Sequence, residues 1–352
     1  MQYLICFSIS ILSLMILNKA KSLGVILVFC AVIIAVLMPP ILDIENYMIR
    51  YVNSYNTSDM SFGYDALSEI CRSLGFNFSG FYTLCILMGT IIVLFCYRRL
   101  TSVPTAAMAL FVVYPFMFTL GQIRIGLGSA FILASFTALV CFKKCRTLCF
   151  WGFYFIAISM HYALAPFAII WFLRKRQLSQ EKVARISAVL TVGCILLVIT
   201  GTFDFIITFV SAFYPRAAGW SDLFEGVNVG TFCFQLSFHV IGVAMLRAGA
   251  RYCLEGRATE EKCGMLRILN NINTLSFVLV PVYLINPSVY RLIRIVYMMN
   301  YSMYAETLMV GGFCPQNLVR ASAYLCFALG LFILDYGIAQ SGFMAIAESW
   351  VG

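Results

Sequence analysis

The chain has 352 residues, of which 62% are hydrophobic and only 11% charged. That is too little polar surface to cover a water-soluble globule, so the composition excludes a soluble protein and implies an integral membrane one. The net charge of +9 comes with no nucleic-acid-binding motif and is read below as membrane topology.

The first apolar run, Tyr3–Leu17, has no basic residue before it, while Lys19 and Lys21 follow it. It reads as a retained helix with its N-terminus outside, not as a signal peptide. Further runs such as Leu23–Leu42, Ile186–Val210 and Leu292–Phe313 approach or exceed the roughly 20 residues that cross a bilayer. None shows the alternation of a barrel strand, so each is expected to be helical. The expected fold is all-α: one polytopic helix bundle over residues 1–352, with about 11–12 transmembrane helices.

The breaks between runs alternate in kind. Lys19/Lys21, Arg98/Arg99, Lys143/Lys144/Arg146, the stretches 174–185 and 247–270, and Arg320 hold eighteen of the 24 Lys and Arg. By the positive-inside rule this side is cytoplasmic. The remaining six basic residues, Arg50, Arg72, Arg124, Arg216, Arg291 and Arg294, are all arginine and fall on the external side. An all-arginine set fits planar, multidentate recognition of phosphate or carboxylate.

Two longer polar segments, 43–79 and 211–230, are read as external. In the first, Tyr47, Tyr51 and Tyr55 recur every four residues, so a helix stacks them on one face. They are either an interfacial aromatic belt or a platform for sugar rings. Leu67, Ile70 and Leu74 then repeat opposite Asp65 and Glu69, the pattern of a short helix on the membrane surface.

Arg124 stands alone in "FTLGQIRIGLGSAF", with no acidic residue within fifteen positions on either side. It is either a ligand-binding charge facing an external cavity or an arginine snorkelling to headgroups. Between the basic positions Arg146 and Arg174 lie 27 residues, too many for one straight crossing and too few for two. A short or re-entrant helical pair near residues 147–173 is expected, with its turn near Ser159–Pro166 and His161 at the tip. Its neutral imidazole suits a general base. His239 sits in an ordinary apolar helix and reads as a core histidine bonded to a neighbour. Arg291 and Arg294, three apart after Asn286-Pro287, share a helix face and can together bind a multiply charged phosphate.

The fourteen cysteines are scattered, and Cys141, Cys145 and Cys149, though at helical spacing, have no histidine near to complete a zinc site. Neither a metal site nor a cofactor is expected.

In order, "DIENY" after the second span, "IR" followed by a small-residue helix, "ISMHYAL" after a short aromatic helix, and "YRLIRIVYMMN" near the end form a pattern. It resembles that of bacterial polysaccharide polymerases of the Wzy group, in particular its EpsG-like branch. The resemblance is strongest over residues 40–180. Where that family often follows the arginine with glutamine, this chain has Ile125, with Gln122 preceding instead.

The resemblance implies roles in an outer cavity for Asp43, Tyr47, Arg124, His161, Arg291 and Arg294. It implies a glycosyltransferase of the bacterial inner membrane that polymerises repeat units carried on undecaprenyl diphosphate, which serves as both donor and acceptor. A chain-length regulator is left open as a further partner. Asp43 or His161 would be the base, Arg124, Arg291 and Arg294 would converge on the diphosphate in place of a metal, and Tyr47 and Tyr51 would hold sugar. A flippase for the lipid-linked sugar, an O-antigen ligase and a non-catalytic export subunit are the rival readings.

Overall fold

The structure is a computed structural model and describes residues 8–11, 21–37, 42–53, 61–176, 178–202, 205, 229–254, 259–283, 289–308 and 315–334. Among these residues every regular element is a helix. In chain order they are α1 (Lys21–Leu37), α2 (Leu42–Asn53), α3 (Phe62–Ser73), α4 (Phe78–Leu100), α5 (Pro104–Val113), α6 (Phe116–Gly121), α7 (Ile123–Cys141) and α8 (Arg146–Met160). After a 3-10 turn over Tyr162–Ala168 come α9 (Ile169–Arg176), α10 (Gln180–Ile199), α11 (Val229–Leu254), α12 (Glu260–Ser276), α13 (Val280–Tyr283), α14 (Tyr290–Thr307) and α15 (Pro315–Ile333).

The starts of the helices are legible locally. Asn77 accepts the Gly80 amide at 2.9 Å to cap α4, and Thr259, followed by Glu260 and Glu261, caps α12. Five of the described helices are long and apolar enough to span a bilayer: Phe78–Leu100, Ile123–Cys141, Gln180–Ile199, Glu260–Tyr283 and Gln316–Ile333. Shorter apolar helices cover Gly24–Ile34, Pro104–Val113, Arg146–Met160 and Phe232–Arg247. The protein is therefore a polytopic all-α membrane bundle. Of the expected first helix only residues 8–11 are described, and they are helical; most of 211–230 lies outside the described residues.

One expected span has a different character. The run Leu292–Phe313 reads as lipid-crossing, yet the structure places α14 at the centre of the bundle, against α5, α7, α11 and α12. Every residue from Ile293 to Leu308 is buried. Protein rather than lipid surrounds this helix, so it tolerates the polar side chains Arg294, Asn300, Ser302 and Glu306. Asn300 and Asn273 of α12 exchange amide hydrogen bonds at 2.9 and 3.0 Å, which satisfies both in the core. His239 of α11 meets Ser276 Oγ at 3.1 Å through Nε2, the core histidine the sequence suggests. In contrast α10 turns Val189, Val192, Leu196 and Ile199 outward, as a lipid-facing helix does.

The two ends of the bundle differ. At one end the chain around Arg99, Cys141, Arg146, Arg174 and Lys262 comes together: Cys141 Sγ reaches the Arg99 carbonyl, and Lys262 donates to the Leu100 carbonyl. Burial first, and then the neighbouring Arg146 and Arg267, lower the Arg174 pKa. Arg146 and Arg174 thus lie at the same end, and the segment between them goes in and returns. Its outward arm α8 has 15 residues, roughly 22 Å at 1.5 Å per residue, short of the ~30 Å hydrocarbon core. The chain extends at His161, turns through the 3-10 segment with Pro166, and comes back along α9. Tyr154 Oη ties the arms by donating to the Ala165 carbonyl at 2.7 Å.

The same basic end contains a buried ion pair. Glu306, at the end of α14, is 5% exposed. It accepts from Lys262 Nζ at 3.2 Å, Thr101 Oγ1 at 2.9 Å and the Ser102 amide at 2.8 Å. One carboxylate so joins α12, α14 and the link between α4 and α5.

The candidate active site at a broken helix

The other end of the bundle carries the residues singled out from the sequence. The run from α5 to α7 is not one helix. It breaks at Tyr114–Pro115, forms the short α6, and breaks again at Gln122, whose backbone (φ −126°, ψ 63°) is non-helical. Gly126 permits this fold-back: a Cβ there would lie 2.7 Å from Thr119 Cβ and 3.0 Å from its Cα. Replacing Gly126 by Ala should therefore push α6 off α7, lowering thermal stability by about 1–3 kcal/mol and opening the pocket described next. A melting temperature equal to that of the parent protein would show that the close approach is not needed.

The break lines a small, partly open pocket between α6, α7 and α14, walled by Phe118, Thr119, Gln122, Gly126, Arg291 and Arg294 among others. Arg294 is 8% exposed. Its Nη1 donates to Gln122 Oε1 at 3.3 Å, and its guanidinium carbon lies 3.6 Å from the Phe118 ring centroid. Stacking and a carbonyl-type acceptor fix the orientation of the guanidinium plane. Arg291, one helical turn earlier and half-buried, shares the pocket, as the three-residue spacing requires.

Arg124 is not among the residues lining that pocket. Its Nη1 donates to Ser61 Oγ at 3.1 Å, and its guanidinium carbon lies 5.4 Å from the Tyr47 ring centroid. The reason is helical geometry: Gln122, Gly126 and Ser129 face α14, and position 124 is turned well around the helix from them. The expected convergence of three arginines is thus two arginines in one pocket, with Arg124 directed to α2 and α3.

Around Ser61 a second cluster forms. Arg50 Nη2 also donates to Ser61 Oγ, at 3.3 Å, and contacts both Asp65 carboxylate oxygens at 2.7 and 2.9 Å. The acid that Arg124 lacks locally in the sequence is therefore brought near by folding, through Arg50. The Tyr47 and Tyr64 rings pack at 5.9 Å beside it. Burial above all raises the Tyr64 pKa, with Arg124 and Arg50 acting against the rise.

The tyrosines part company. Tyr47 is half-buried under Arg124, whereas Tyr51 is 5% exposed, stacked on Phe81 at 4.8 Å, and donates its hydroxyl to the Phe76 carbonyl at 2.8 Å. Tyr51 holds α2 to α4 and has no ring face left for a sugar, which corrects the reading of it as part of a platform. Tyr55 lies outside the described residues. The surface helix is α3, with Ile70 and Leu74 exposed and Tyr64, Ser68 and Cys71 inward.

His161 caps the outward arm at the tip of the excursion, half-buried. Its Nδ1 accepts the Ala163 amide at 3.2 Å, so in the neutral ring the proton sits on Nε2. In this arrangement the neutral ring presents its N–H at Nε2. Gly63 brings the start of α3 against this tip, since a Cβ there would lie 2.1 Å from Ser159 Oγ. Asp43 lies in α2, four residues before Tyr47; its side chain, like Asn286-Pro287, is outside the described part. Among the described residues no three His, Cys, Asp or Glu side chains gather as metal ligands.

Sequence reasoning gave no site role to Gln122, Asp65 or Ser61. Gln122 carried a signal, as a glutamine two positions before the lone arginine; Ser61 and Asp65 carried none, because their role depends on folding α3 against α7.

Compared with protein-family models, the chain matches the EpsG family over residues 21–342. Comparisons with curated proteins and with solved structures give no match.

Proposed function

The chain belongs to the EpsG family, and on that premise we propose that it is a membrane glycosyltransferase that polymerises oligosaccharide repeat units carried on undecaprenyl diphosphate. The observation that carries this reading is the pair Arg291 and Arg294 in one pocket beside an interrupted helix. Irregular backbone at membrane depth is tolerated where it lines a cavity, and two arginines sharing such a cavity can receive a multiply charged anion.

In the reaction, the bond from the anomeric carbon of the donor glycan to its diphosphate breaks while an acceptor hydroxyl bonds to that carbon. Negative charge grows on the departing diphosphate, and Arg291 and Arg294 are aimed at it, Arg294 being held rigid by Gln122 and Phe118. Fixed cations of this kind lower the barrier with no reorganisation during the reaction. The hydroxyl proton passes to a carboxylate, for which Asp43 is the candidate, while His161 Nε2–H donates to a sugar or phosphate oxygen. Tyr47 offers its ring to the glycan. The arginine end then faces the outside of the plasma membrane, and the end with Arg99, Arg146 and Arg174 faces the cytoplasm.

The test is incubation of the purified protein with lipid-linked repeat units and separation of the products by gel. A ladder of products supports the reading. A single added band would make the protein a ligase, and unchanged substrate with lipid movement across vesicles would make it a flippase. Turnover should be the same in EDTA as in magnesium, since arginine supplies the positive charge; loss in EDTA with recovery on adding magnesium would sink this account of the leaving group.

A further inference from the structure

We propose that the basic end of the bundle holds the phosphate of an anionic phospholipid, in a site formed by Arg146 of α8, Arg174 of α9 and Arg267 of α12. The site lies at the end opposite the Arg291–Arg294 pocket and takes no part in the reaction proposed above.

The sequence supplies these charges without a neighbouring acid. Between Glu69 and Glu181 there is no Asp or Glu, and the acid nearest in sequence to Arg267 is Glu261, on another face of α12. Folding brings the three arginines together. Arg174 Nη1 rests on α12, 3.5 Å from where a Cβ at Gly264 would lie, and Arg267 stands three residues beyond Gly264 on the same face. Arg146 and Arg267 both act on the charge of Arg174, and Glu261 offsets them in part. Arg146 Nε donates to the Phe142 carbonyl at 2.8 Å, which anchors the side chain without a counter-charge. The ion pairs of the described residues join Arg50 to Asp65, Arg72 to Glu69, Arg185 to Glu181 and Lys262 to Glu306, so none involves this cluster. Like charges gathered in this way repel, and a bound anion offsets the repulsion. Arg146 and Arg174 are half-buried and Arg267 is exposed, so the cluster is open on one side.

The surroundings point to a lipid as the source of the phosphate. Two residues along the chain from Arg146 and Arg174 lie Leu148, 74% exposed, and Phe172, 47% exposed. Trp171 packs on Trp151 at 5.6 Å and carries Lys175 Nζ 4.4 Å from its ring centroid, the amphipathic arrangement of a membrane interface. A soluble anion gains nothing from apolar side chains beside it, whereas acyl chains below a phosphate cover them. Basic clusters between helices on the cytoplasmic side suit anionic headgroups, and the charge asymmetry assigns this end to that side. Arg146 opens the outward arm of the excursion and Arg174 ends its return arm, so one phosphate between them joins the bases of the two arms that carry His161 at their tip.

Lipid binding to the purified full chain tests this. In detergent, cardiolipin should bind at one per chain, counted by native mass spectrometry, and phosphatidylcholine with the same acyl chains should bind about fivefold more weakly or less. Arg174→Gln and Arg267→Gln should each weaken cardiolipin binding by about fivefold or more. Arg267 is exposed, so its replacement tests the site even where Arg174→Gln fails to fold. Lys144→Gln removes the same charge two residues before Arg146 and should stay within about twofold of the parent protein. Unaltered binding in Arg267→Gln, or an equal loss in Lys144→Gln, overturns the proposal. Inorganic phosphate at millimolar concentration should leave cardiolipin in place; displacement by it would assign the cluster to a soluble anion instead. Cardiolipin should also raise the melting temperature of the parent protein and not that of Arg146→Gln, and a rise of the same size in both would overturn the joining of the two arms. Binding and melting are read without turnover, so a protein that makes no glycan ladder can still carry this site, and one that makes a ladder can lack it.

Discussion

Replacing Arg294 by Gln is expected to lower the rate of glycan polymerisation by about 10²–10³-fold, the usual loss when one fixed donor to a developing anion is removed. The argument is local. Arg294 sits 3.6 Å from the Phe118 ring centroid and donates to Gln122 at 3.3 Å, so its plane is set before substrate arrives. Lysine at the same position keeps the charge but loses both the stacking and the fork, so Arg294→Lys should recover only a small part of the rate. Gln122→Ala, which frees the guanidinium without removing it, should fall between. Membrane insertion and yield should be unchanged in all three, measured by detergent-solubilised protein recovered. A rate within a few-fold of wild type for Arg294→Gln would place the leaving group elsewhere.

The largest stability effect is expected at the opposite end. Glu306→Ala leaves Lys262 without its carboxylate and Thr101 and the Ser102 amide without their acceptor, in a setting where Glu306 is 5% exposed. Breaking one side of a buried pair costs about 3–5 kcal/mol, much of it from the stranded partner. Thermal unfolding in detergent should show a large fall. The double change Lys262→Met/Glu306→Gln should restore a good part of it, because no charge is then left buried. Equal instability of single and double variants would mean that the packing around Glu306, not its charge, holds α12 and α14 together.

The membrane class, the in-and-out excursion between Arg146 and Arg174, and the core role of His239 follow from hydropathy and charge spacing alone, because both are properties of the chain in order. So does the pairing of Arg291 with Arg294 on one face. What the linear pattern does not carry is which face of a helix meets which neighbour. Arg124 lies only two residues from Gln122, and a helix turns that small offset into a different neighbourhood. The tyrosines at 47 and 51 look equivalent at four-residue spacing, yet the carbonyl of Phe76 engages one hydroxyl and Arg124 covers the other ring. The character of α14 is hidden for a related reason: hydropathy sums composition, and a helix enclosed by other helices can be as polar as its partners allow.

The claim at the centre of this account is that Arg291 and Arg294 hold the diphosphate of the donor lipid at the broken helix. A structure of the protein with a polyprenyl diphosphate bound tests it most directly. The account predicts phosphate oxygens within hydrogen-bonding distance of both guanidinium groups, with Gln122 still in contact with Arg294. Diphosphate bound away from this pocket, with Arg291 and Arg294 touching only protein, would contradict it.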